Sequence, residues 1–245
     1  MSQSPFAPRR PSRVLFAVLL AFGVTGCAHA DERYVTPGVS SSVALPDQAK
    51  GKPPAWSGRA FRQGVVAVAN PYGAEAGAAI LEQGGNAIDA AVAIAYALNV
   101  VEPQSAGIGG GGFMLIHLAK SGETFAIDSR ERAPAGAAST MFAGLNFTQA
   151  STSGLSVGVP GMVRGTALAI ENWGRLPFAQ VLAPAIKLAD EGFAATPRFV
   201  NSPNCASGTS RARVYPETAA YFCPGGVAIA VGTVVKNVPL ADTFR

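Results

Sequence analysis

Apolar positions fall along this chain in blocks of different length and spacing, and each kind of block predicts a different element. From Gly64 to Ala69 the run GVVAVA is short, β-branched and followed by polar Asn70, and it predicts a buried strand. Asn70-Pro71 then opens a helix, with Asn as the cap and Pro in the first turn, where a missing N–H is harmless. Gly84-Gly85 ends that helix. Asn86 caps a second helix, predicted from Ala87 to about Val101, and Asp89 three residues on makes a capping box with a shortened acid. Residues Ala90 to Leu98 are all apolar or aromatic, so this helix has no polar face in its middle. It is expected to be buried on all sides and packed against a sheet, while Asp89 and Asn99 hold the run below membrane-spanning length.

After Glu102-Pro103 and a run of glycines, the pattern changes. Phe113 to Leu118 (FMLIHL) and Thr124 to Asp128 (TFAID), joined by Lys120-Ser121-Gly122, predict a β-hairpin. His117 lies within the first strand and reads as a packing residue rather than a ligand. Helical spacing returns near Met162 to Trp173 and from Phe178 to Glu191, with Gly174-Arg175-Leu176-Pro177 between them and Gly192 after. Thr196 to Val235 carries no clear period. Pro239 to Arg245 begins another helix, with Asn237 near its cap.

The N-terminus follows a different logic. Arg9, Arg10 and Arg13 precede an apolar run from Val14 to Gly23, which is too short to span a bilayer and is followed by small residues. That order predicts an export signal over residues 1–26. Val24-Thr25-Gly26-Cys27 resembles a bacterial lipobox, with Cys27 as the site of lipid attachment, whereas Ala28-His29-Ala30 fits ordinary signal cleavage. Either reading takes the chain out of the cytoplasm, to the periplasm, anchored by lipid in the first case and soluble in the second. Residues 27–60, rich in Pro, Ser and Gly, read as a tether, and the folded body runs over 61–245.

Composition sharpens this picture. Hydrophobic residues make up 49% and charged residues 14%, which excludes a disordered chain or a coiled coil. The formal net charge is +4, and removing Arg9, Arg10 and Arg13 leaves +1, too little for a nucleic-acid-binding stripe. Beyond Cys27 the cysteines are Cys205 and Cys223, an even pair that an oxidising compartment would bridge; two free thiols are the alternative. The histidines are His29 and His117, with no cluster around either, so no metal site is expected.

Gly107, Gly109 and Gly112 match the spacing of a dinucleotide fingerprint, but that mechanism requires strand, glycines, helix, and here the order is helix, glycines, strand. The glycines are better explained by positive φ or by close approach to another segment or a substrate. The specific signal is a series of segments: Gly84-Gly85-Asn86-Ala87, Glu102-Pro103 before Gly107 to Phe113, Asp128-Ser129-Arg130-Glu131 with Ala133-Pro134, Gly158-Val159-Pro160-Gly161, Trp173-Gly174-Arg175-Leu176-Pro177 and Leu182-Ala183-Pro184-Ala185. In order and spacing this series resembles the N-terminal part of the large subunit of the gamma-glutamyltranspeptidases, well from Gly64 to Phe193 and more weakly to Arg245.

The resemblance implies an α/β fold, the four-layer αββα sandwich of N-terminal-nucleophile hydrolases, present here as an N-terminal fragment. It implies a precursor that cleaves itself, a Thr nucleophile at the start of the small subunit, and γ-glutamyl transfer from glutathione to water, amino acids or peptides. No cofactor is implied. Arg130 matches the arginine that grips the donor's α-carboxylate, which a planar guanidinium binds by two parallel hydrogen bonds; a surface Arg paired with Glu131 or Asp128 is the alternative. Neither histidine has Thr one or two residues before it, so the nucleophile motif is not in this sequence and no catalytic residue is assigned within it. A related amidase of the cephalosporin acylase kind and a non-catalytic envelope lipoprotein are the alternatives.

Overall fold

The computed structural model describes residues 35–37, 64–207 and 210–245. The expected export signal, Cys27 and most of the expected tether lie outside the described residues. Of the tether, Val35–Pro37 is described and forms β1.

Helix α1 (Pro71–Glu82) begins where Asn70 Oδ1 accepts the N–H of Tyr72 at 3.0 Å, and ends before Gly84 at φ +90°. Helix α2 (Ala87–Val101) begins with a full capping box: Asn86 Oδ1 accepts from Ile88 and Asp89, and Asp89 Oδ2 accepts the Asn86 N–H at 2.7 Å. The Asp89 carboxylate does more than cap. It is fully buried and also accepts the N–H groups of Arg175 and Leu176, so the start of α2 is tied to the turn between α4 (Met162–Trp173) and α5 (Phe178–Glu191). Val92, Ala93, Tyr96, Val100 and Val101 of α2 are buried with Val181, Leu182, Ala185 and Ala189 of α5 in one core. The expectation of burial on all sides holds for the second half of α2, while Ala87 and Ala91 are exposed. These alanines face β2 (Phe113–Leu118) across a small cleft.

Strands β2 and β3 (Glu123–Asp128) form the hairpin, turned at Gly122 with φ +75°, and β1 adds antiparallel to the far side of β3. The sheet order is β1-β3-β2, so among the described residues β2 is an edge. Ile116 and Ile127 enter the core, whereas Phe113 is 75% and Leu115 74% exposed. His117 shares the outward face of β2 and pairs with Thr124 Oγ1 at 3.0 Å, so it is not a packing residue. The period of two puts it on the side opposite Ile116.

The run GVVAVA is a second correction. Residues 64–69 form no ladder among the described residues; Val66 and Val68 lie instead over α1, at Gly77 and Gly73. A short continuous apolar run is consistent with a buried strand but cannot supply a pairing partner.

Past α5 the elements are short: β4 (Phe193–Ala194), paired with β5 (Val234–Val235), and helices α6 (Pro197–Asn201), α7 (Pro216–Phe222) and α8 (Val238–Phe244), with α3 (Phe147–Thr152) earlier in the chain. Cys205 and Cys223 are joined in a disulfide, beside Phe199 and its ring partners Phe193, Tyr221 and Phe222.

Candidate substrate-binding site

Arg130 stands two residues past the end of β3, so the sheet and not a long loop places its backbone. The ladder continues one step beyond the strands: Ser129 N donates to Gly112 O at 2.9 Å, and Gly112 N to Ser129 O at 3.3 Å. Ser129 Oγ adds a bond to the same Gly112 oxygen at 3.0 Å. Arg132 and Val159 then exchange backbone bonds at 3.2 and 2.8 Å, and the N–H groups of Gly161 and Met162 both reach Gly110 O at 3.1 Å. The Gly158-to-Gly161 segment is therefore stitched to both flanks of Arg130.

Three glycines make this packing feasible. A Cβ on Gly111 or on Gly161 would lie 2.1 Å from Ser129 O, and one on Gly165 would lie 2.5 Å from Ser129 Cβ. Ser129 is buried within them. The close-approach reading of the glycine run thus applies at Gly111. None of Gly107 to Gly112 has positive φ, and a Cβ at Gly107, Gly109 or Gly112 would meet open space.

The Arg130 side chain is 56% exposed and forms an ion pair with Glu131 at 3.2 Å. Its backbone N–H donates to Asp128 Oδ1 at 3.0 Å, which shapes the exit from the strand. Arg130 lines two cavities. One, of about 330 Å³, runs between α2 and α4 and under the glycine run, and is walled by Asn99, Ser105, Gly110 to Gly112, Met162 and Thr166. The other, of about 470 Å³, is bounded by Arg132, Pro134, Phe142 and Val157. Asn99 is buried, its Nδ2 donates to Met162 Sδ at 3.4 Å, and its Oδ1 has no hydrogen-bond partner.

Chemically, this arrangement can hold an anion. A guanidinium whose only ion-pair partner among the described residues is Glu131 presents further N–H groups to the cavities. The hydroxyls in the wall are already engaged: Ser129 with Gly112 O, Thr166 with Met162 O, Val163 O and Tyr96, and Ser105 with Arg198. None of them is bonded to a histidine. Among the described residues no group of three or more His, Cys, Asp or Glu is gathered as a metal would need.

The family model for gamma-glutamyltranspeptidase matches residues 73–245. The chain belongs to the gamma-glutamyltranspeptidase family. It is 41% identical over 215 residues to a glutathione hydrolase proenzyme of Bacillus subtilis, covering 82% of this chain and 36% of that protein. The gamma-glutamyltranspeptidase of Helicobacter pylori superposes with a TM-score of 0.70 at 37% identity, over 76% of this chain and 54% of that one. A cephalosporin acylase from Bacillus halodurans superposes at 0.66 and 34% identity, over 78% of this chain and 38% of that one. The family is one of enzymes, and the fold is the α/β fold of N-terminal-nucleophile hydrolases. The chain spans about a third of the length of the Bacillus subtilis relative.

The sequence singled out Arg130 and the glycine run, and the structure brings them together. It did not single out Ser129, Asn99 or Thr166 as site residues, and it offered Glu131 only as the ion-pair partner of a surface Arg130, a pair that the structure contains. Ser129 and Glu131 flank Arg130 in a quoted motif and were legible as neighbours. The role of Ser129 depends on Gly161 and Gly165, which no local pattern connects to it.

Proposed function

We propose that this chain is the N-terminal part of the large subunit of a glutathione hydrolase proenzyme, and that Arg130 binds the α-carboxylate of a γ-glutamyl donor. The observation that carries this reading is the position of Arg130: its backbone is locked by the Ser129 ladder, its side chain is half exposed, and the residue lines two cavities. In this reading the precursor cleaves itself, and the Thr that begins the small subunit lies in another segment. The Thr hydroxyl attacks the γ-carbonyl carbon, its own α-amine takes the proton, and the amide nitrogen leaves protonated. Water, an amino acid or a peptide then accepts the γ-glutamyl group. Backbone N–H groups stabilise the oxyanion. The likeness to a cephalosporin acylase supports a second reading, an amidase acting on a different acyl donor through the same scaffold.

The test is steady-state kinetics of the precursor that carries this chain. Loss of one partner from a desolvated charge pair costs roughly 2–5 kcal/mol, so Arg130→Ala is expected to lower kcat/KM for a γ-glutamyl donor by about 30-fold or more, mainly through KM. Arg130→Lys keeps the charge without the fork and recovers part of the loss. A decrease within about threefold, roughly 0.65 kcal/mol, rejects Arg130 as the carboxylate clamp. Turnover of an acylase substrate but of no γ-glutamyl donor selects the second reading.

We also propose export to the periplasm with a lipid on Cys27. Cys27→Ser is expected to abolish labelling by a fatty-acid analogue, and an unlabelled wild-type protein starting at Asp31 selects ordinary secretion instead.

A further inference from the structure

Glu102 follows the last residue of α2 and is 6% exposed, yet its carboxylate is fully engaged. Oε1 accepts from Asn70 Nδ2 at 3.1 Å, and Oε2 accepts from Arg198 Nε at 2.9 Å. Asn70 is the residue that caps α1, and Arg198 belongs to α6. The Arg198 guanidinium has a second partner: Nη2 donates to Ser105 Oγ at 3.2 Å. The Glu102 backbone oxygen accepts the N–H groups of Ser105 and Ala106 at 2.9 and 3.0 Å. Side chain and backbone of Glu102 thus hold the same short segment from two directions.

That segment is a wall of the cavity beside Arg130. Ser105, Ala106 and Gly107 line it, whereas Arg198 and Glu102 do not. Beyond Gly107 the wall is supported by the Gly110 N to Gly107 O turn at 3.0 Å and by the bonds from Gly161 and Met162 to Gly110 O. The run from Pro103 to Gly112 has few side chains large enough to pack, so its course depends on these polar ties at its two ends. One end is fixed by backbone contact around Ser129. The other end is fixed by Glu102 and Arg198.

We infer that Arg198 and Glu102 are positioning residues for the donor-binding cavity: they clamp Ser105 to Gly107 in place without touching the ligand. The inference rests on the reading of that cavity as the donor site. A displacement of the wall changes how well the cavity fits the part of the donor beyond its α-carboxylate, and leaves the carboxylate contact at Arg130 in place.

Hydrogen exchange on the precursor that carries this chain tests the clamp directly. Arg198→Ala is expected to raise exchange in peptides covering residues 103–112 about tenfold, with peptides of β2 and β3 unchanged. Arg198→Lys can reach Glu102 but not Ser105 as well, so it falls between wild type and Arg198→Ala. Glu102→Gln keeps the volume and the Asn70 contact but loses the ion pair, and is expected to give the same local pattern. Unchanged exchange over 103–112, or a rise shared equally by β2 and β3, overturns the clamp. In the precursor, Arg198→Ala is expected to raise KM for a γ-glutamyl donor about three- to tenfold, with kcat within about twofold. A loosened wall with unchanged KM also overturns the proposal, because the wall would then be irrelevant to donor binding. A wild-type precursor that turns over no γ-glutamyl donor refutes the functional reading instead, and exchange alone then decides the clamp.

Discussion

The core around α2 and the corner around Ser129 are both buried, but they are built from opposite materials. Around α2, side chain meets side chain: Tyr96 packs edge-on against Phe178 and Phe244 at 5.7 and 5.2 Å, and Val92 is fully buried in the same core. Around Ser129, backbone meets backbone, and Gly111, Gly161 and Gly165 are there because nothing larger fits. A side-chain core absorbs a change by shifting rotamers. A backbone corner has no rotamers to shift, because its atoms are already committed to hydrogen bonds. The first material stabilises the fold, and the second sets the position of Arg130 with little tolerance.

The sharpest way to break this comparison is to add one methyl group inside the corner and one in the open part of the glycine run beside it. In Gly161→Ala the new Cβ would lie 2.1 Å from Ser129 O and 2.7 Å from Ser129 C, so the two segments must separate. Overpacking of side chains costs typically 1–3 kcal/mol, and the backbone neighbours here place the expected cost at about 3 kcal/mol or more. Gly109→Ala, where a Cβ meets open space at ordinary φ, is expected to change stability by no more than about 0.5 kcal/mol. Denaturant melts of both variants decide the point. Equal midpoints would mean that the corner yields as easily as an open loop.

The second test removes volume from the side-chain core. Val92 is fully buried, and Val92→Ala deletes two methyl groups and leaves a partly collapsing cavity, for an expected loss of about 2 kcal/mol. In a chain of this size that is a fall in Tm of roughly 4–8 °C. A loss as large as that of Gly161→Ala would erase the distinction between the two materials.

How far each region was legible in the sequence follows from the same contrast. The bounds of α1, α2, α4 and α5 were readable because caps, prolines, glycines and the 3.6-residue period are local. Asn86 with Asp89, and Gly192 after Glu191, needed nothing distant. Arg130 was readable through a short motif. The corner that holds it was not, because Gly111, Ser129 and Gly161 meet only after folding. The same is true of the Arg198–Glu102 pair, whose partners are 96 positions apart. The run GVVAVA differs for the complementary reason: its apolar character is genuine, but Val66 and Val68 lie on α1 and not in a sheet. The residues after Thr196 show no period because their helices are too short to express one.

The smallest effect concerns the one hydroxyl that joins the two regions. Tyr96 of α2 is bonded to Thr166 of α4 at 3.3 Å, and Thr166 lines the cavity beside Arg130. Burial pushes the Tyr96 phenol above its ordinary value of 10.0, and the bond to Thr166 lowers it in part. The folded state therefore keeps the proton more tightly than the unfolded state does. The stability this represents is complete below pH 10 and is lost as pH rises from 10 through the folded value. Tyr96→Phe keeps the ring contacts with Phe178 and Phe244 and removes the titration. Thr166 retains its bonds to Met162 O and Val163 O, so at pH 7 the variant is expected to lie within about 1 kcal/mol of wild type. Above pH 10 wild type is expected to lose stability faster than Tyr96→Phe, so that the two curves converge. A residual slope remains in the variant, because burial also raises Tyr221. Parallel curves from pH 7 to 11 would show that the hydroxyl is solvated in the fold, and that the α2 core and the cavity are not sealed from each other at Thr166.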